Sequence, residues 1–82
     1  MDESYLGTII LFAGKFCPMG WMLCDGRLLG VAVNMALFSI LGDTYGGDGR
    51  NTFALPNLND SDTASRKPKY IMCVNGIYPT RE

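Results

Sequence analysis

The chain has 82 residues, a formal net charge of −1, no histidine and 48% hydrophobic residues. This length allows one domain, and the hydrophobic content is too high for a disordered chain. Lys and Arg are scattered, so the clustered cations that nucleic-acid binding requires are missing, and the lack of histidine excludes Ser-His-Asp, Cys-His and His-metal sites.

The small size also bears on assembly. A domain of this length buries only about 60% of the surface that its unfolded chain exposes, so its core is marginal. Small domains make up the deficit with disulfides, metals or oligomerisation. Because the hydrophobic content is high for so short a chain, oligomerisation is the first expectation.

The three cysteines are Cys17, Cys24 and Cys73. An odd number leaves at least one thiol unpaired within a monomer. Cys24 and Cys73 lie in apolar runs and are predicted to be small buried core residues, whereas Cys17 lies in a loop and is the more exposed thiol. Their spacing does not match the paired pattern of zinc sites, so no metal or other cofactor is predicted.

The first half of the chain predicts a strand, a loop and a hairpin. Tyr5–Ala13 is rich in Ile, Leu and Phe, which favours a strand. After the loop Gly14–Gly20, Trp21–Cys24 is a second short strand. Asp25-Gly26 is a tight-turn signal, with Gly26 supplying a positive φ, and Arg27–Leu29 is then predicted to return as the hairpin partner.

A short helix follows. Asn34 can cap it through its side-chain oxygen, and Gly42 is a natural stop. Between them the apolar positions Leu37, Phe38 and Leu41 recur at helical spacing and mark the buried face.

The second half alternates loops and extended segments. Thr44–Asn51 is a glycine-rich loop, Thr52–Leu58 is extended, Asn59–Pro68 is a polar surface loop, and Tyr70–Val74 is the final strand. The fold class predicted is therefore α+β: a small, mostly antiparallel sheet, one short helix and long ordered loops in a single domain, residues 1–82.

The glycine-rich loop has two interpretations. A phosphate-binding loop would need Gly-Lys-Ser/Thr at the start of a helix, but here the loop leads into an extended segment. A tight multiple turn that needs positive φ at several glycines fits better. Asp48 is then predicted to bond nearby backbone amides, and Arg50 to pair with Asp48 or Asp43.

Other polar residues give no catalytic pattern. The run from Asn57 to Asp62 lacks the glycine and the glutamate of a calcium loop. Asp25, Asp43 and Asp48 all stand beside glycines in turns, where aspartate commonly bonds the backbone. The chain is therefore not expected to be an enzyme.

Four segments between Gly7 and Leu58 combine residues in an unusual way. They are Gly7–Gly14, Pro18-x-Gly20-Trp21-x-Leu23-Cys24-Asp25-Gly26, Asn34-x-Ala36-Leu37-Phe38-Ser39-x-Leu41-Gly42 and Thr44-Tyr45-Gly46-Gly47-Asp48-Gly49-Arg50-x-Thr52-Phe53-x-Leu55-Pro56-x-Leu58. Together they resemble the phage tail-collar domain family, in particular its microcystin-dependent protein type, and the closing stretch Tyr70–Pro79 is similar as well.

The resemblance implies a structural module of a phage tail or tail-like particle, a homotrimer at the fibre or tip, in contact with other tail proteins. The chain is a shortened form, because residues 59–69 replace a longer glycine-rich region of the family. The trimer is expected to form through apolar faces of Tyr5–Phe12 and Tyr70–Val74. Asp2 and Glu3 precede the first apolar run, which is unlike a signal peptide, so synthesis in the bacterial cytoplasm and a final place in the virion tail are expected.

Two functions stay open: this structural role, and a module that binds a surface glycan or a host receptor. The core is expected to contain Trp21, Phe38, Phe53 and Leu55. The candidate recognition residues are Tyr45, Asp48, Arg50, Asn57 and Asn59. The residues expected to hold the fold are Trp21, Asp25, Gly26, Phe38, Gly46, Gly47, Gly49, Phe53 and Pro56.

Overall fold

A computed structural model describes residues 4–59 and 67–79. The described chain contains five strands and one helix, which confirms the predicted α+β class. In chain order the elements are β1 Ile9–Phe12, β2 Trp21–Leu23, β3 Leu28–Gly30, α1 Met35–Leu41, β4 Thr52–Ala54 and β5 Lys69–Cys73.

Strand β5 is the centre of a three-stranded antiparallel sheet in the order β1-β5-β2. Ile10 lies opposite Ile71 on one side, and Leu23 lies opposite Ile71 on the other. A strand covered on both edges and both faces is typically an uninterrupted apolar run, and Ile71, Met72 and Cys73 are indeed buried. The last strand of the chain therefore joins two strands from its beginning.

The predicted hairpin between the second and third strands is wrong. Strand β3 pairs with β4 in a separate two-stranded sheet, in which Leu29 lies opposite Phe53. Gly26 does have a positive φ of 82°, but the turn leads the chain from one sheet to the other. The physical reason is that Asp25 already forms an antiparallel bridge with Asn57, and the same register continues to Leu28 opposite Ala54. From Asp25 onward the chain therefore pairs with the segment that precedes Asn57 and not with β2.

Helix α1 ends as predicted and begins differently. Gly42 has φ 59° and its N–H donates to the Phe38 carbonyl, which closes the last turn. Asn34 stands at the N-cap position, but its side-chain amide donates to the Gly30 carbonyl over 2.9 Å and makes no capping bond. Leu37 is fully buried, so the apolar face was correctly predicted.

The first strand is shorter than predicted. Gly7 has φ 85°, which interrupts the extended segment. Glycine adopts this backbone conformation without the strain that most other residues would have. Before this break, Tyr5 forms a parallel bridge with Ile77, and the Leu6 N–H donates to the Ile77 carbonyl over 2.8 Å. The segment around Ser4 is thereby attached to the end of the described chain.

The core consists of two clusters on opposite sides of β5. The larger one is built around Phe53, Leu55, Leu37, Cys24 and Met72, with Phe38 packed against it; the Phe38 and Phe53 ring centroids are 5.3 Å apart. Trp21 belongs instead to the smaller cluster with Ile71 and Cys73. The single core predicted from the sequence is therefore divided by the sheet, because neighbouring residues of a strand face opposite sides.

Candidate functional site

The glycine-rich loop between α1 and β4 is folded tightly onto β4. Gly46, Gly47 and Gly49 all have positive φ, at 138°, 87° and 72°. The Ala54 N–H donates to the Gly46 carbonyl over 3.1 Å, and the Gly49 N–H donates to Thr52 over 3.0 Å. The loop is therefore a fixed multiple turn, as predicted.

Asp48 holds this turn with one carboxylate oxygen. Oδ1 accepts the backbone N–H groups of Arg50, Asn51 and Thr52 over 2.8, 2.8 and 3.0 Å. These three bonds lower the pKa of Asp48 to about 2, and the bond from Thr52 has the largest effect. The reason is that amide donors stabilise the charged form. The predicted backbone role of Asp48 is confirmed, and its Oδ1 is occupied by the chain itself.

The other two loop residues proposed for recognition are accessible. Tyr45 is 52% exposed, and Arg50 is exposed. The prediction that Arg50 pairs with Asp48 or Asp43 is wrong: in the described part of the chain the ion pair is Arg27 with Asp25, at 2.9 Å. Oδ1 of Asp48 accepts three backbone amides, and the Arg50 side chain makes no ion pair with either aspartate.

Asn59 is a structural clasp, a role that sequence reasoning missed. Its side-chain amide donates to the carbonyl of Tyr70 over 2.9 Å and to that of Cys24 over 3.3 Å. Its Oδ1 accepts the Tyr70 N–H over 2.7 Å. The side chain thus bonds Tyr70 as a neighbouring strand would, and only the long-range contact with β5 reveals this.

The five candidate recognition residues do not form one site. Asn57 bridges Asp25 and Asn59 binds β5, whereas Tyr45, Asp48 and Arg50 belong to the glycine-rich loop. A groove of about 440 Å³ lies between the start of α1 and the end of β5, but none of the five lines it. A second cleft, of about 130 Å³, includes Asn59 alone of the five.

The charged and thiol groups offer little further chemistry. The Arg27 guanidinium holds the pKa of Asp25 below its usual value, as expected for a carboxylate beside a cation. Cys17 is exposed while Cys24 and Cys73 are buried, which confirms their predicted placement, and all three thiols are free. Within residues 4–59 and 67–79, no three Cys, Asp or Glu side chains are placed to share a metal ion.

Exposed apolar side chains are the most unusual feature of the surface. In the described ranges, thirteen large hydrophobic side chains are exposed and ten hydrophobic residues are buried. Three of the exposed ones, Ile9, Leu11 and Tyr70, lie on one face of the β1-β5 pair, since Leu11 and Tyr70 are register partners. We refer to these three residues as the β1 patch.

The exposed surface differs from the one that was predicted to form the oligomer. Tyr70–Val74 was expected to present an apolar face to a partner, but Ile71, Met72 and Cys73 are fully buried within the monomer. Only Tyr70 of these residues adds to the patch. No helix in the described ranges is long and apolar enough to cross a membrane.

These features define a small structural module with fixed loops and an exposed apolar edge. The model of the Phage Tail Collar Domain family matches residues 7–62, which is more than half of the chain. The chain therefore belongs to the phage tail collar domain family, a structural component of phage tails. The comparisons with curated proteins and with solved structures found no significant match.

The extent of this match has a structural consequence. It ends at residue 62, so it contains β1 and β2 but not β5. Because β1 and β2 each pair with β5 and not with each other, the sheet that contains them is completed by a strand beyond the matched region.

Proposed function

We propose that this chain is an assembly module of a phage tail or tail-like particle, at the fibre or tip, and that it works as a homo-oligomer of three copies. Membership of the collar family supports the place in the tail. The observation that carries self-association is the β1 patch, because an apolar surface of this kind on a small domain is typically covered by a partner.

The backbone at this edge supports the same proposal. No strand in the described part of the chain pairs with the outer edge of β1. The Cys73 N–H donates to the Thr8 carbonyl over 2.9 Å, and residues alternate their direction in an antiparallel ladder. The N–H and C=O groups of Ile9 and Leu11 therefore point outward, on the same two residues whose side chains are exposed.

Natural monomers protect such edges with charges, prolines or bulges. Strand β1 reads Ile-Ile-Leu-Phe and contains neither a charge nor a proline. An uncharged edge with free backbone groups and exposed apolar side chains suits a neighbouring subunit. The number of copies, three, rests on the family resemblance.

The test is the solution mass of the full chain, measured by light scattering after size-exclusion chromatography, for the wild type and two variants. Leu11→Lys places a charge in the β1 patch. Leu28→Lys is the matched control, because Leu28 is also a strand leucine and is similarly exposed, at 61% against 57%, but lies in the other sheet.

We expect a mass of three chains for the wild type and for Leu28→Lys, and of one chain for Leu11→Lys. A monomeric wild type would contradict the proposed self-association. An equal loss of mass in both variants would show that the β1 patch is not the specific surface.

A recognition role within the same particle is the second candidate, and the exposure of Tyr45 and Arg50 on a rigid loop favours it. An aromatic ring and a guanidinium held in place are suited to stacking on a sugar and to bonding its hydroxyls. A glycan array with the wild type and with Tyr45→Ala tests this: binding that the variant loses supports recognition, and no binding by the wild type argues against it.

A further inference from the structure

Strand β5 occupies a slot that the rest of the chain forms around it. Strands β1 and β2 run along its two edges and share no ladder with each other. Its side chains enter both cores: Met72 packs with the cluster of Phe53 and Leu55, and Ile71 and Cys73 pack with Trp21. The slot therefore bonds the backbone of β5 along two edges and packs against its alternating side chains on two faces. Proteins bind an added strand with the same two kinds of contact.

The ends of the inserted segment are also held by non-covalent contacts. At its start, the Asn59 side chain bonds both the N–H and the C=O of Tyr70. At its end, the Ile77 N–H donates to Ser4 over 2.9 Å, and the hydroxyls of Tyr78 and Ser39 are 2.7 Å apart. Residues 69–78 thus resemble a bound peptide, and the covalent connection is one of several attachments.

We propose that this slot accepts the β5 segment of a second copy of the chain. Nine residues, 60–68, connect Asn59 to β5. Nine extended residues span up to about 30 Å, close to the longest dimension of the domain, 35 Å. Exchange of β5 therefore requires the start of the neighbouring slot to lie within about 30 Å of Asn59.

The local concentration of the partner decides which strand occupies the slot. Because residues 60–68 tether β5 to the rest of its own chain, the chain's own strand has a high effective concentration at the slot, so dilute chains keep their own strand. Subunits packed side by side reach similar local concentrations. This step rests on the proposed assembly function: in the particle, exchange of β5 would link neighbouring subunits without any new contact type.

The experiment uses the full chain with Ile71→Asp as acceptor and a synthetic peptide of residues 67–79 as donor. Ile71 has no exposed surface, and a buried unpaired carboxylate is very costly, so the acceptor's own strand should leave the slot. Trp21 is the only tryptophan of the chain and lies opposite Cys73 in the sheet. Its fluorescence therefore reports whether the slot is filled.

Under reducing conditions, we expect the peptide to shift the Trp21 emission of the acceptor saturably to the wild-type wavelength. The matched control peptide, carrying Asp in place of Ile71, should produce no shift. If the Trp21 emission of the acceptor does not change with the wild-type peptide up to millimolar concentration, the proposal is overturned. An acceptor with native emission before any peptide is added would overturn it too, because Ile71 would then not be what the slot recognises.

Strand capture and the proposed oligomer can fail separately. The peptide titration measures the slot of a single chain, whereas the solution mass measures association through the β1 patch. A monomeric wild type whose Ile71→Asp variant binds the peptide would retain the slot and contradict only the assembly function. A trimer whose acceptor ignores the peptide would contradict only the exchange of β5.

Discussion

Replacing Gly47 with alanine should destabilise the domain strongly through one added carbon atom. A Cβ at this position would lie 2.5 Å from the Phe53 Cα and 2.6 Å from the Thr52 carbonyl oxygen. Both are backbone atoms of β4, and Phe53 is fully buried in the larger core cluster, so neither can move without displacing that core.

The size of the effect has two parts. The φ of 87° costs an alanine about 1–2 kcal/mol. Overpacking against a fixed core adds about 1–3 kcal/mol. Together these predict a loss of about 3 kcal/mol, which in a domain of this size lowers the melting temperature by about 12–24 °C.

The matched control is Gly42→Ala. Gly42 also has a positive φ, 59°, but a Cβ there meets no atom within 4 Å. We expect this variant to lose only the conformational part, about 1–3 kcal/mol for φ 59° with ψ −153°, without the overpacking part. Thermal and urea unfolding of both variants, followed by circular dichroism, would measure the difference. If Gly47→Ala loses no more stability than Gly42→Ala, the tight contact between the loop and β4 is refuted.

Two further predictions concern polar side chains that hold the fold. The pKa of Asp48 is lowered to about 2, so its ionised form stabilises the folded state above the unfolded pKa of about 4, and this stabilisation is lost as the pH falls from about 4 to about 2. Urea unfolding across this pH range should therefore show a steeper loss of folding free energy for the wild type than for Asp48→Asn. Equal slopes would contradict the role of the carboxylate. Asn59→Ala should lose about 1–2 kcal/mol because it leaves the Tyr70 N–H without its Asn59 acceptor, while the Tyr70 carbonyl keeps the Cys24 N–H. The side chain of Asn57 makes no hydrogen bond within the described residues, so Asn57→Ala should change stability by less than about 0.5 kcal/mol. Similar unfolding midpoints for the two variants would argue against the clasp.

Local signals in the sequence predicted local structure well. The helix with its terminal Gly42, the glycine-rich turn and the use of Asp48 by backbone amides all depend on residues within a few positions of one another. Positive φ at Gly47 follows the same logic, since tight turns require it. For these features the sequence contained the physical cause, and the structure confirms them.

Long-range pairing was beyond the same reasoning. Asp25-Gly26 favours a turn whether the chain returns on the same sheet or enters another, so the hairpin prediction was wrong although the φ of Gly26 was right. The bonds of Asn59 to Tyr70 carry no local pattern at all. Residues 60–66, the centre of the predicted surface loop, lie outside the described residues, so that prediction stays untested.

The described carboxylates and the β1 patch together support the proposed assembly role. The carboxylate of Asp25 is bonded to Arg27, and that of Asp48 is bonded to amides, so both serve the fold. Exposed apolar side chains are numerous on the described surface, and those of the β1 patch adjoin backbone groups that pair with no strand of the described chain. A subunit that covers them gains apolar burial and strand hydrogen bonds without removing a charge from water, which is the least costly way for a small domain to form a stable assembly.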